Sequence, residues 1–147
     1  MEGDEMRVYV ASSWRNDYQP MVVEALRDAG FDVYDFKHPA PGNDGFHWSE
    51  IDPDWKGWTP EQLREHLNHE IAIDGFDMDY QAMNECDACV LVLPSGRSSH
   101  LEAGWFTGKG RPTAVLLSDG EPELMYLLAD RVCVTVEEVV AFLRGAP

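Results

Sequence analysis

The run Cys89-Val90-Leu91-Val92-Leu93 constrains the fold more than any other part of the chain, because it contains no polar side chain. A strand with one face in water alternates apolar and polar residues, so an uninterrupted apolar run reads as a strand covered on both faces. Such strands belong to parallel sheets, whose neighbouring strands need long crossovers, usually helical. The rest of the sequence supplies both strands and crossovers. Residues 6–11 read as a first strand, and the turn-forming Ser12, Ser13 and Asn16 lead into a helix over about 18–29. In that helix Val22, Val23, Leu26 and Ala29 recur at helical spacing and Gly30 is placed to stop it. Residues 31–36 form a second short strand.

The stretch 37–59 is rich in Pro, Gly, Asp and Trp, has no clear period, and reads as a long loop. Phe46, Trp48, Trp55 and Trp58 within it favour order over disorder. Pro60 suits a first helical position behind a Thr59 cap and opens a helical region to about residue 85, with a bend expected at Gly75. Beyond the turn Pro94-Ser95-Gly96 come a helix over 99–108, a strand over 113–117, a short helix near 123–128, a strand over 131–134 and a helix over 136–144 capped by Thr135. Five strands with intervening helices predict an α/β fold in one domain, 1–147. Its expected core is a five-stranded parallel sheet of flavodoxin-like, Rossmann-like order 2-1-3-4-5, with helices on both faces.

Composition narrows the partners. Eleven basic against 27 acidic residues give a formal charge of −16, which argues against a nucleic-acid polymer and against an anionic membrane surface. A small anionic ligand stays compatible, because a few local donors outweigh a distant field. The acidic start Met1-Glu2-Gly3-Asp4-Glu5 and the lack of an 18-residue apolar run predict a soluble, cytoplasmic protein. Three cysteines, an odd number beside an adequate core, point to reduced thiols.

In an open parallel sheet ligands bind beyond the carboxyl ends of the strands, where the strand order reverses. Here that means the loops after the first and third strands, which carry Ser12-Ser13-Trp14-Arg15 and Ser95-Gly96-Arg97-Ser98-Ser99. The hydroxyls with Arg15 and Arg97 read either as an anion cradle or as ordinary helix caps with solvated arginines. Glu102 has two readings as well. With Ser99 it matches a capping box, and at a helix start facing the crevice it suits an ionised nucleophile. Asp79 is the one charged member of the stripe Phe76, Asp79, Ala82, Met83 and Cys86, so it lies at the exposed edge of that stripe or has a task there. Asp87, between helix and strand, reads as structural, holding backbone amides.

Other motifs resolve more simply. Cys86-Asp87-Ala88-Cys89 matches C-x-x-C, but its first cysteine ends a helix instead of starting one, and Cys133 has no partner that would complete a zinc site. His66, His69 and Glu70 lack the spacing of a zinc-protease helix and read as a polar face. Neither GxGxxG nor a P-loop is present, and no metal or cofactor is expected. The aromatic loop reads as packing, as a subunit contact, or as a lid that stacks on a planar ligand.

Three segments together resemble the nucleoside 2-deoxyribosyltransferase family, including its nucleoside 5′-monophosphate N-glycosidases. They are Val8-Tyr9-Val10-Ala11-Ser12-Ser13-Trp14-Arg15, the stretch 79–93, and Ser98-Ser99-His100-Leu101-Glu102-Ala103-Gly104-Trp105 with the strand that follows it. The stretch 37–75 matches poorly. The resemblance implies that Glu102 is the nucleophile of a Glu-Leu-Gly motif, here Glu-Ala-Gly, and that Asp79 is the acid assisting departure of the base. It implies that Ser13-Trp14-Arg15 is the Ser-x-Arg that binds a 5′-phosphate, with Ser98 in the loop completing that site. It also implies a nucleoside or nucleotide substrate and a homodimer or higher homo-oligomer. His100 departs from the family, which often has Gly there, and its bulk is expected to narrow the sugar pocket.

Two further functions compete with N-glycosidic cleavage. One is a TIR-like NAD glycohydrolase, separable by nicotinamide release. The other is a non-catalytic module that senses a nucleotide, separable by thermal stabilisation without turnover.

Overall fold

Alternation along the first strand divides the sheet into two chemically different faces. The computed structural model describes residues 5–146, so the acidic residues 1–4 and Pro147 lie outside the described residues. Strands β1 (Arg7–Ala11), β2 (Asp32–Asp35), β3 (Ala88–Val92), β4 (Thr113–Leu116) and β5 (Arg131–Cys133) form one parallel sheet in the order β2-β1-β3-β4-β5. Val8 pairs with Val33 and with Ala88, which sets β1 between β2 and β3. The expected sheet and strand order are therefore present. Residues 88–93 are all buried, as the apolar run requires.

Side chains alternate across a strand, and each face has its own cover. Val8, Val10, Val90, Val92, Ala114 and Leu116 pack with Val22 and Leu26 of α1 (Gln19–Asp28) and with Val139 and Leu143 of α5 (Val136–Gly145). Tyr9 belongs to the opposite face, where its ring lies 5.5 Å from Phe106 of a further helix, Arg97–Gly108. Thr135 caps α5 by accepting from Glu138 N at 3.1 Å, as the sequence suggests. The expected helix near 123–128 is instead a 3-10 segment, Leu124–Leu128, started by the Glu123 carboxylate accepting from Met125 N.

Contacts group the chain into two compact units, residues 5–35 with 85–146 and residues 36–84. The first holds the sheet. The second is built on α2 (Pro60–His66) and α3 (Glu70–Glu85), and its long loop contains short 3-10 turns at Trp48–Glu50 and Trp55–Gly57.

The second unit corrects one expectation. Its helical region is unbroken at Gly75; it breaks before Glu70, where the His69 ring accepts from Ile71 N at 3.0 Å and satisfies a free amide at the start of α3. Gly75 is instead a site of close approach, because a β-carbon there would stand 3.1 Å from Phe46. The aromatic loop is a self-packed ladder. Phe46 meets Trp48 edge-on at 4.7 Å, Trp48 meets Trp58 at 5.7 Å, and Trp58 stacks on His66 at 4.1 Å. The Trp58 indole donates to Asp52 at 2.7 Å, and this bond, with a second from Asp54 N, holds the Asp52 carboxyl below its usual range. His66 thus belongs to an aromatic stack as well as to the polar helix face.

Candidate active site

Tyr9 explains why Glu102 is where it is. A buried tyrosine in the middle of a strand needs a partner for its hydroxyl, and Tyr9 is 0% exposed. Its hydroxyl donates to Glu102 Oε2 at 2.8 Å, and its ring stacks on Tyr34 at 5.3 Å. A hydrogen bond to a charged acceptor is short and strong, and here it fixes the carboxylate over the sheet. Strand alternation and the need of a buried tyrosine for a partner are the signals that point to Tyr9; a search by motif passes over it.

The helix carrying Glu102, α4 (Arg97–Gly108), begins two residues earlier than the sequence suggests. Its N-cap is Gly96, without a side-chain cap bond. Ser99 lies inside the first turn, 1% exposed, and its hydroxyl donates to Gly96 O at 2.9 Å. The capping-box reading of Ser99 and Glu102 therefore fails, and Glu102 sits in the second turn, bound to Tyr9 and not at the helix start.

The two crevice loops differ in what they leave available. Ser12 is 9% exposed, and its hydroxyl donates to Val92 O at 2.8 Å while accepting from Asn16 at 2.9 Å. Ser13 is half-buried and accepts from Arg15 N at 3.2 Å, while Trp14 and Arg15 are exposed. Across the crevice Gly96, Arg97 and Ser98 are exposed. The Ser95 hydroxyl oxygen is buried with no hydrogen-bond partner among the described residues. Uncapped amides at the start of α4, exposed hydroxyls and two arginines suit an anion.

Asp87 accepts from Arg7 N at 2.9 Å at the start of β1. In the second unit Asp79 is half-buried on α3, in line with buried Ala72, Ala82 and Met83, whereas Phe76 is 62% exposed and stacks on Tyr80. Phe76 is thus not part of a buried stripe.

His100 is engaged at both ring nitrogens. The His100 ring bonds Gly96 O at 2.7 Å through Nδ1 and the Tyr126 hydroxyl at 2.9 Å through Nε2. Together with Gly104 and Thr107 it lines an apolar pocket of about 260 Å³ beneath the 3-10 segment. Gly104 faces open space, and a β-carbon added there would meet nothing within 4 Å. Gly104→Ala is therefore expected to raise stability by roughly 0.5–1 kcal/mol through helix propensity, measured by urea denaturation.

The cysteines carry no redox signature. All three are free and buried. Burial pushes the Cys86 thiol up to about 12 and the Cys89 thiol well above its ordinary value, against the lowering a reactive cysteine needs. With both thiols neutral at pH 8, native protein is expected to resist alkylation at Cys86 and Cys89 and to react fully once unfolded, as mass spectrometry would show. Among the described residues no group of three or more metal-ligating side chains occurs, and no helix is long and apolar enough to cross a membrane.

No family model matches the sequence, and no curated protein matches it. Solved structures do. The 2-deoxyribosyltransferase of the psychrotolerant bacterium Bacillus psychrosaccharolyticus aligns with a TM-score of 0.61 at 18% identity, over 91% of this chain and 90% of that one. The CMP N-glycosidase of Clostridium botulinum aligns with a TM-score of 0.47 at 17% identity, over 94% and 98%. The chain therefore has the fold of a 2-deoxyribosyltransferase.

Proposed function

We propose that the protein cleaves the N-glycosidic bond of a nucleoside or nucleoside 5′-monophosphate, by hydrolysis or base exchange, with Glu102 as nucleophile. The observation that carries this reading is the Glu102 carboxylate held by Tyr9 at 2.8 Å, on a helix whose uncapped start adjoins the Arg15 loop. The fold shared with a 2-deoxyribosyltransferase supports it.

The chemistry parallels retaining glycoside cleavage. Glu102 attacks the anomeric carbon as the bond to the base breaks, and the base leaves with the bonding pair and a proton. Asp79 is assigned the role of that proton donor on its residue type and on the family resemblance. Water then attacks the glycosyl ester, its proton passing to Asp79, and restores Glu102, or a second base takes the sugar as its own ring proton passes to Asp79. Ser13, Trp14, Arg15, Ser98 and the amides from Gly96 into the first turn of α4 are the groups assigned to the substrate. Ser12, in the loop after β1, and Ser99, in the first turn of α4, are assigned to the same substrate, with their hydroxyl protons engaged by Val92 O and Gly96 O.

The experiment is chromatography of free base after incubation with nucleosides, their 5′-monophosphates and NAD. Base release from a nucleoside or monophosphate is the expected result. Nicotinamide release alone would move the assignment to NAD glycohydrolysis, and a wholly negative panel with nucleotide-induced thermal stabilisation would move it to a sensing module.

A further inference from the structure

Asn16 is a turn residue that the proposed chemistry does not use, yet it is 4% exposed and unusually well engaged. Its Oδ1 accepts from Tyr18 N at 2.8 Å and Gln19 N at 3.1 Å, free amides at the entrance of α1. Its Nδ2 lies 2.9 Å from Ser12 Oγ, 3.2 Å from Val92 O and 3.1 Å from Pro94 O. Two N–H groups on one side and two carbonyls on the other permit a single orientation of the carboxamide. The acceptor half holds the loop after β1, and the donor half holds the chain leaving β3.

We infer that Asn16 is a positioning residue that locks the 12–16 loop to the 93–96 segment, so that one phosphorylated substrate meets both. Arg15 and Ser13 lie on one side of this lock, and Gly96 and Ser98 lie just beyond the other. Val92 O keeps the Ser12 hydroxyl if Asn16 is lost, whereas Pro94 O and the Tyr18 and Gln19 amides lose a partner that spans both segments, so the connection between the two loops rests on Asn16. The consequence for turnover rests on the N-glycosidase reading; the coupling of the two loops does not.

Asn16→Asp tests the lock directly, because it keeps an oxygen for the Tyr18 and Gln19 amides and sets the other against the Val92 and Pro94 carbonyls. Asn16→Ser is a milder companion that retains a short donor and acceptor should the first fold poorly. Two readouts apply: amide hydrogen exchange at 12–19 and 93–99 against residues 114–116, and KM and kcat for a nucleoside 5′-monophosphate beside the unphosphorylated nucleoside. The expected result is exchange faster by roughly tenfold or more in both loop segments with 114–116 unchanged. KM for the monophosphate should rise about tenfold while kcat changes less than about threefold. Faster exchange confined to 12–19 would overturn the inference, as would an unchanged KM for the monophosphate. If the wild-type protein releases no base from any substrate, the N-glycosidase reading fails, and the exchange pattern alone decides whether Asn16 couples the loops.

Discussion

Glu102→Gln is expected to lower base release at least about a thousandfold while leaving the unfolding midpoint nearly unchanged. The amide has the size of the carboxylate and can still accept from the Tyr9 hydroxyl, so the contact at 2.8 Å survives. What it lacks is the anionic oxygen that must bond to the anomeric carbon. Tyr9→Phe serves as the graded companion. It removes one hydrogen bond to a charged group, worth about 1.5–3 kcal/mol, and should cost roughly tenfold to a hundredfold in kcat with a smaller change in KM. Steady-state kinetics with chromatographic detection separates the two. Base release by Glu102→Gln at the wild-type rate would remove Glu102 from the mechanism.

Phe106→Ala should have the largest effect on stability, about 3–5 kcal/mol in urea denaturation with an unchanged slope. The ring is 0% exposed, packs 5.5 Å from Tyr9 and meets Trp105 edge-on at 5.1 Å. Removing it opens a void beneath the helix that carries Glu102, on the face where Tyr9 donates. A loss below about 1 kcal/mol would mean that α4 collapses readily onto the sheet, and the rigid placement of Glu102 would need another explanation.

The fold is legible in the sequence where burial alone decides structure. An apolar run of the kind at 89–93 has few places to go, and it leads to the parallel sheet and its order. Local signals that imitate one another are less reliable. Ser99 and Glu102 have the spacing of a helix cap, yet α4 starts behind Gly96, with no side-chain oxygen, and the Ser99 hydroxyl turns back to Gly96 O. Gly75 resembles a weak point in a helix, but it is small because Phe46 lies against it, and a contact across that distance in sequence leaves no local trace. His100 stands out in the sequence by its bulk, but its bond to Tyr126, 26 residues away, leaves no local trace. Tyr9 and Asn16 are visible only as a polar tip on an apolar strand and as a turn former. Their partners, Glu102 and the carbonyls of Val92 and Pro94, lie far along the chain.

The position of β1 between β2 and β3 has a consequence for how the chain folds. The bond from Arg7 N to Asp87 joins residues 80 apart, so the central pairing of β1 with β3 closes a long segment of chain. In equilibrium terms such length is cheap, since each doubling of a loop adds only about 0.6 kcal/mol. In kinetic terms it is not, because non-local strand pairing slows the search for the folded state. During synthesis β1 and β2 leave the ribosome together and can pair early, but the apolar strand at 88–92 must emerge before either gains its full cover. Order gained first within residues 36–84 shortens the effective loop, which gives that unit a part in assembly separate from any part in chemistry.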